Sequence, residues 1–115
     1  VACGPRDPAD WRVTIQPTSS PAGINSSEPS LSTSERGVIM SWIEREGTTT
    51  HLKFAERTAY GWTTPMTAAS GDDWFLSYAD VPSVIRLSDG TLVAQWLQVT
   101  DDLIAKVIAQ FALPT

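Results

Sequence analysis

Pro29-Ser30-Leu31-Ser32-Thr33-Ser34-Glu35-Arg36-Gly37-Val38-Ile39-Met40-Ser41-Trp42-Ile43-Glu44 is echoed later in the chain by Pro82-Ser83-Val84-Ile85-Arg86-Leu87-Ser88-Asp89-Gly90-Thr91-Leu92-Val93-Ala94-Gln95-Trp96-Leu97-Gln98. Proline and glycine stand eight positions apart in both copies, and tryptophan follows glycine by five positions in one and six in the other. The offset is therefore 53 residues before the glycine and 54 at the tryptophan. A period of this size marks an array of supersecondary units, each of which buries its faces against a neighbour. Each copy reads as two strands joined by a glycine turn. The first strand carries its proline where no ladder donor is needed, and the second is apolar and nearly continuous.

Working outward, Gly47-Thr48-Thr49-Thr50 breaks the first unit, and His51–Arg57 alternates Leu52 and Phe54 with Lys53 and Glu56. Tyr60-Gly61 turns the chain again. Trp62–Ala69 follows as a more polar fourth strand interrupted by Pro65, as edge strands tolerate. Four antiparallel strands in about fifty residues is the size of one propeller blade. In the second copy Ser88-Asp89-Gly90 is a strong hairpin signal. Beyond it, Asp101-Asp102 followed by Leu103, Ile104, Val107, Ile108 and Phe111 predicts a short helix with an aspartate N-cap, although the Ile and Val content also suits a strand. The expected fold is all-β, with antiparallel four-stranded propeller-type blades, about one and a half to two of them in an open fragment, and a short C-terminal helix. The organisation reads as a tether at 1–27, a first blade and connecting loop at 28–80, the start of a second blade at 81–100 and an atypical tail at 101–115.

Composition narrows the function classes. The chain has 115 residues and a net charge of −5, with its eight Lys and Arg dispersed, which argues against nucleic-acid binding. The single cysteine, Cys3, excludes a disulfide framework and a cysteine-based zinc site. His51 has no second histidine beside it, the pairs Asp72/Asp73 and Asp101/Asp102 lack the spaced oxygen ligands of a calcium loop, and no cofactor motif is present; no metal and no cofactor are expected. Five Trp with abundant Ser and Thr fit a β-rich secreted protein. Val1-Ala2-Cys3-Gly4 resembles the end of a bacterial lipoprotein signal, which implies lipidation of Cys3, a membrane-surface anchor and a cell-envelope location, periplasmic or outer. Prolines at 5, 8, 17, 21 and 29 suit an extended tether, with Trp11–Ile15 alternating enough for one short strand.

From Glu28 to Val99 the chain resembles the bacterial sialidase-like, BNR-repeat β-propeller proteins. The resemblance is carried by Glu28-Pro29-Ser30-Leu31 through Ser41-Trp42, by Gly61-Trp62-Thr63-Thr64-Pro65, and most specifically by Gly71-Asp72-Asp73-Trp74-Phe75 followed by Asp80-Val81-Pro82-Ser83. The Asp-box Ser/Thr-x-Asp-x-Gly-x-x-Trp of that family is not matched. Thr33-x-Glu35-x-Gly37 comes nearest, with Trp42 too far downstream. The resemblance implies a propeller of which further blades lie outside this chain. It also implies either a carbohydrate-binding or scaffold module or, alternatively, a truncated exo-sialidase-type glycoside hydrolase inactive as this fragment.

The densest candidate site is the 70–80 connection. Asp73 and Asp80 are the catalytic candidates, and Asp72, Trp74 and Tyr78 are ligand-binding candidates, since aromatic faces stack on sugar C–H surfaces and carboxylates hold hydroxyls. The same residues also suit a structural role, the aspartates accepting turn N–H groups and Trp74 filling the gap between blades. Arg12, Arg36, Arg45, Arg57 and Arg86 are available for a sugar carboxylate, with Arg12 and Arg86 singled out. Trp42, Trp62 and Trp96 are expected to pack between sheets.

Overall fold

The computed structural model describes residues 11–113, and within them the chain is all-β with no helix. Nine strands follow in order: β1 (Ser26–Ser34), β2 (Gly37–Glu46), β3 (Thr49–Thr58), β4 (Gly61–Trp62), β5 (Met66–Gly71), β6 (Trp74–Phe75), β7 (Ser83–Arg86), β8 (Leu92–Thr100) and β9 (Leu103–Phe111). They form two antiparallel sheets. In sheet A, β1, β2 and β3 meander, and β4 and β5 share the far side of β3 as the two halves of one broken strand. Pro65 lies in the break, where it has no N–H to give. The ladder is kept through Thr63, whose N–H donates to Glu56 O at 2.8 Å while its Oγ1 accepts from Glu56 N–H at 2.9 Å. In sheet B, β6 and β7 share one side of β8, and β9 pairs along the other.

The turns are set locally. Gly37 holds φ at +120°, and a Cβ there would sit 2.9 Å from Arg57 O, so the glycine is required both by conformation and by space. The equivalent Gly90 has φ +91°, and its N–H donates to Leu87 O while Asp89 Oδ1 accepts from Thr91 N–H.

The sequence repeat is a structural one. Ser30 pairs with Ser41 and Thr33 with Val38 in the β1–β2 hairpin; at the repeat offset Ser83 pairs with Gln95 and Arg86 with Leu92 in β7–β8. Both copies also repeat a side-chain device. The Trp42 indole Nε1–H donates to Glu44 Oε2 at 2.8 Å, and Trp96 donates to the equivalent Gln98 Oε1 at 3.4 Å.

The core lies between the sheets, with Ile39, Ile43, Leu52 and Phe54 of sheet A against Val84, Leu92 and Ala94 of sheet B. Buried Ser41 accepts the Val84 N–H on Oγ at 3.1 Å, fixing β7 over β2. Strand alternation places Ile39, Ser41 and Ile43 on one face of β2, whereas Leu92 and Ala94 correspond by repeat position to Val38 and Met40 on the other. Two equivalent hairpins thus bury opposite faces against each other.

Three expectations are corrected. The helix over 101–111 is instead strand β9, paired with β8 from Thr100↔Leu103 to Leu92↔Phe111. Asp101 and Asp102 do not cap a helix; they take φ +49° and +62° and form the two-residue turn that the twist of a hairpin favours. Trp11–Ile15 forms no strand; Val13 and Ile15 are about 85% exposed, with no buried face to reward the alternation. Of the tryptophans, Trp96 packs between the sheets, stacked on Trp74 with centroids 5.0 Å apart and planes at 14°. Trp42 and Trp62 instead lie on the outer face of sheet A, where residues 16–23 cross it.

Candidate functional site

The 70–80 connection leads from sheet A into sheet B, and its side chains disperse rather than converge. Asp72 is exposed in the turn, and Tyr78 is 96% exposed. Trp74 is half-buried against Trp96 and the core, with Gly71 close enough that a Cβ would fall 2.3 Å from its Nε1. Asp73 accepts from Gln98 Nε2 at 3.0 Å through Oδ2, and its carbonyl accepts from Val99 N–H at 2.8 Å, which ties the turn to β8. Asp80 ion-pairs with Lys106 of β9 at 2.9 Å. None of the three cavities on the outer face of sheet A is lined by a residue from 70 to 80.

The two arginines singled out also part ways. Arg86 is committed inside the protein: its side chain is 5% exposed, Nε and Nη2 donate to the two Glu56 oxygens at 3.0 and 2.5 Å, and Nη1 donates to Gly90 O at 2.6 Å. Arg12 is exposed in the N-terminal stretch. Cys3 lies outside the described residues.

A notch of about 530 Å³ lies between residues 18–21 and the β3–β4 hairpin. Its floor is a cross-strand pair: Arg57 and Trp62 are register partners, and the guanidinium carbon stands 5.7 Å from the Trp62 ring centroid, within the range of a cation–π contact. Arg57 Nη1 also donates to Thr18 Oγ1 at 3.3 Å, and among the described residues no carboxylate ion-pairs with it. Tyr60 stands fully exposed at the rim, with Thr63 and Thr64 beside it. The notch therefore offers a cation, an indole, a phenol and several hydroxyls without a neutralising acid. A sequence signal for it existed in the spacing of Arg57 and Trp62 about the Tyr60-Gly61 turn, which places them opposite each other. The second wall was not readable, because residues 16–21 contact sheet A only through tertiary packing.

Glu44 anchors that wall. Its Oε2 accepts from Gly23 N–H and Trp42 Nε1–H, both at 2.8 Å, and Lys53 Nζ lies 3.3 Å from Oε1. Burial pushes the Glu44 carboxyl upward, but the bonds from Trp42, Gly23 and Lys53 outweigh it and hold the carboxyl below its ordinary value. A depressed acid contributes stability that is present above the unfolded pKa of about 4.3 and is lost as pH falls through the lower folded value. The urea midpoint of the wild type is therefore expected to fall below about pH 5, and Glu44→Gln to flatten that fall. An unchanged slope in the variant would sink the assignment. The raised Glu28 carboxyl, pushed up by burial, works in the opposite direction and cancels in the comparison.

His51 Nδ1 lies 2.6 Å from Ser70 Oγ, and Nε2 lies 3.4 Å from Glu46. Among the described residues no cluster of three metal-ligating side chains occurs, nor does any helix long and apolar enough to cross a membrane. No protein-family model, curated protein or solved structure matches the chain.

Proposed function

We propose that this chain is part of a sialidase-like β-propeller at the bacterial cell envelope, acting as a binding or scaffold module for carbohydrate. The observation that carries the binding reading is the Arg57–Trp62 notch: an indole suited to sugar C–H faces beside a guanidinium that ion-pairs with no carboxylate among the described residues, ringed by hydroxyls. The blade reading is supported by the two register-equivalent hairpins burying opposite faces, as successive units of an array do. Remaining blades would be supplied from beyond these residues. The envelope location rests on the lipoprotein-like Val1-Ala2-Cys3-Gly4, with lipid on Cys3 as the membrane anchor. The hydrolase alternative draws no support from the geometry, because its candidate acids Asp73 and Asp80 are engaged with Gln98 and Lys106.

Titration with 3′-sialyllactose and with lactose, followed by amide chemical shifts, tests this. Saturable binding of the sialylated sugar at about millimolar or tighter is expected, weakened about tenfold by Trp62→Ala. Arg57→Gln should remove the preference for the charged sugar over lactose. Absence of saturation with either sugar, or Trp62→Ala binding as the wild type does, would overturn the reading.

A further inference from the structure

The repeat continues in the structure past the point where it fades in the sequence. Strand β9 pairs with β8 from Thr100↔Leu103 to Leu92↔Phe111, and each of these pairs is a β2–β3 pair, Glu46↔Thr49 to Val38↔Arg57, moved by 54 residues (100 − 46 and 111 − 57). β9 is therefore the counterpart of β3. On β3 the side away from β2 is filled, because β5 pairs with Thr50 to Phe54 and β4 with Arg57 and Thr58. The counterpart side of β9, along Ile104 to Ile108, carries no strand among the described residues.

A row of main-chain groups points out of that edge. Val99 gives its N–H to Asp73 O on the far side of β8, so Val99 and Ile104 face each other without hydrogen-bonding. Alternation then turns the N–H and C=O of Ile104, Lys106, Ile108 and Gln110 away from β8, just as Glu56, the counterpart of Gln110, turns its own to Thr63. The other sheet edges are blunted: β1 contains Pro29 and a register shift, β4 and β5 are broken around Pro65, and β6 and β7 are two and four residues long. β9 is nine residues long, unbroken in register and without proline or glycine. Its one charge is Lys106, and the ion pair with Asp80 at 2.9 Å draws that charge back across β8. A long regular edge with its charge withdrawn is a template for another strand.

We infer that β9 pairs antiparallel with β9 of a second copy of this chain, about a twofold axis at Val107. The strand is its own complement in this register. Ile104 stands opposite Gln110, Ala105 opposite Ala109, Lys106 opposite Ile108 and Leu103 opposite Phe111, so every residue keeps its face of the sheet and all of β9 is used. Moving the axis to Lys106 would set two ammonium groups against each other. The four outward residues of each copy then exchange about eight inter-strand hydrogen bonds, and the two sheets B become one. Because the contact is isologous it closes at a dimer. The second strand occupies on β9 the place that β4 and β5 occupy on β3, and the inference does not rest on the sugar-binding reading of sheet A.

Sedimentation velocity of the full chain up to about 200 μM is expected to show a monomer–dimer equilibrium with no larger species. Ile108→Pro removes an outward amide that bonds nothing within the monomer, so it should keep the circular dichroism of the wild type and weaken dimerisation at least about tenfold. Ile108→Thr keeps the amide and alters only a side chain that is 66% exposed on the outer face of sheet B, and it should dimerise within about threefold of the wild type. In a Cys3→Ser chain, Val107→Cys should form a disulfide-linked dimer on oxidation, because residues opposite each other in a non-hydrogen-bonded pair lie about 4.5 Å apart at Cα. Ile104→Cys, which faces Gln110 rather than itself, should not. A wild type that stays monomeric would overturn the proposal and leave the edge to a strand of a different chain. A loss with Ile108→Thr as large as with Ile108→Pro would overturn it by placing the contact on the outer face, and so would cross-linking through residue 104 in preference to 107.

Discussion

Replacing Glu56 by alanine is expected to lower the unfolding free energy by about 3–5 kcal/mol. That is a large part of the roughly 5–15 kcal/mol by which a domain is stable. Glu56 belongs to β3 in sheet A and Arg86 to β7 in sheet B, so their two parallel hydrogen bonds span the gap between the sheets. Side-chain exposures of 13% and 5% leave little water to replace a lost partner. Removing the carboxylate strands the guanidinium with Gly90 O as its remaining acceptor, and an uncompensated charge in a dry site costs far more than a surface ion pair contributes. The double variant Glu56→Leu with Arg86→Met removes both charges and keeps the volume, so it should recover most of the loss. Urea unfolding of the three variants at neutral pH measures this. A Glu56→Ala cost below about 1 kcal/mol would place the pair in the class of solvated ion pairs instead.

The role of Arg86 in joining the sheets is not legible in its sequence neighbourhood. Glu56 lies thirty residues upstream of Arg86, and only the docking of β7 over sheet A brings them together. What the sequence made legible was local. Gly37 and Gly90 marked their turns because only glycine is at ease at their positive φ, and the period of apolar residues between them set the register of both hairpins. The tail misled because Leu103, Ile104, Val107, Ile108 and Phe111 satisfy helical spacing while Val107 and Phe111 also fall on one face of a strand. Aspartate is at home both as a helix N-cap and at positive φ, so Asp101-Asp102 did not decide between the two. The 70–80 acids clustered in sequence but not in space, because Trp74 turns inward to Trp96 and draws Asp73 onto Gln98. The Arg57–Trp62 notch is not legible in the sequence, because half of it is built by a proline-rich segment with no periodicity of its own.

Phe54→Ala tests the inter-sheet core and the reassigned tail together. Phe54 is fully buried at the centre of β3, in the cluster that includes Ile43, Leu52, Val84 and Leu92. Truncation removes a ring and leaves a cavity that two hydrogen-bonded sheets cannot collapse to fill, so a loss of about 3–5 kcal/mol is expected. Part of that loss belongs to Phe111, whose ring meets Phe54 edge-to-face with centroids 5.8 Å apart and planes at 68°. Phe111 is the last residue of β9, pairs with Leu92 and is half-buried, so its own truncation should cost less. If β9 is a docked strand, the double variant must be less destabilised than the two single losses predict, by a coupling of about 0.5–1.5 kcal/mol. A tail detached from sheet B would give strict additivity, because Phe111 would then have no contact with the Phe54 ring to lose. Urea unfolding of Phe54→Ala, Phe111→Ala and the double variant therefore reads the packing of the last strand directly. Zero coupling would return residues 103–111 to the status of an unpacked tail, and with them the outer face on which Ile104 and Ile108 stand.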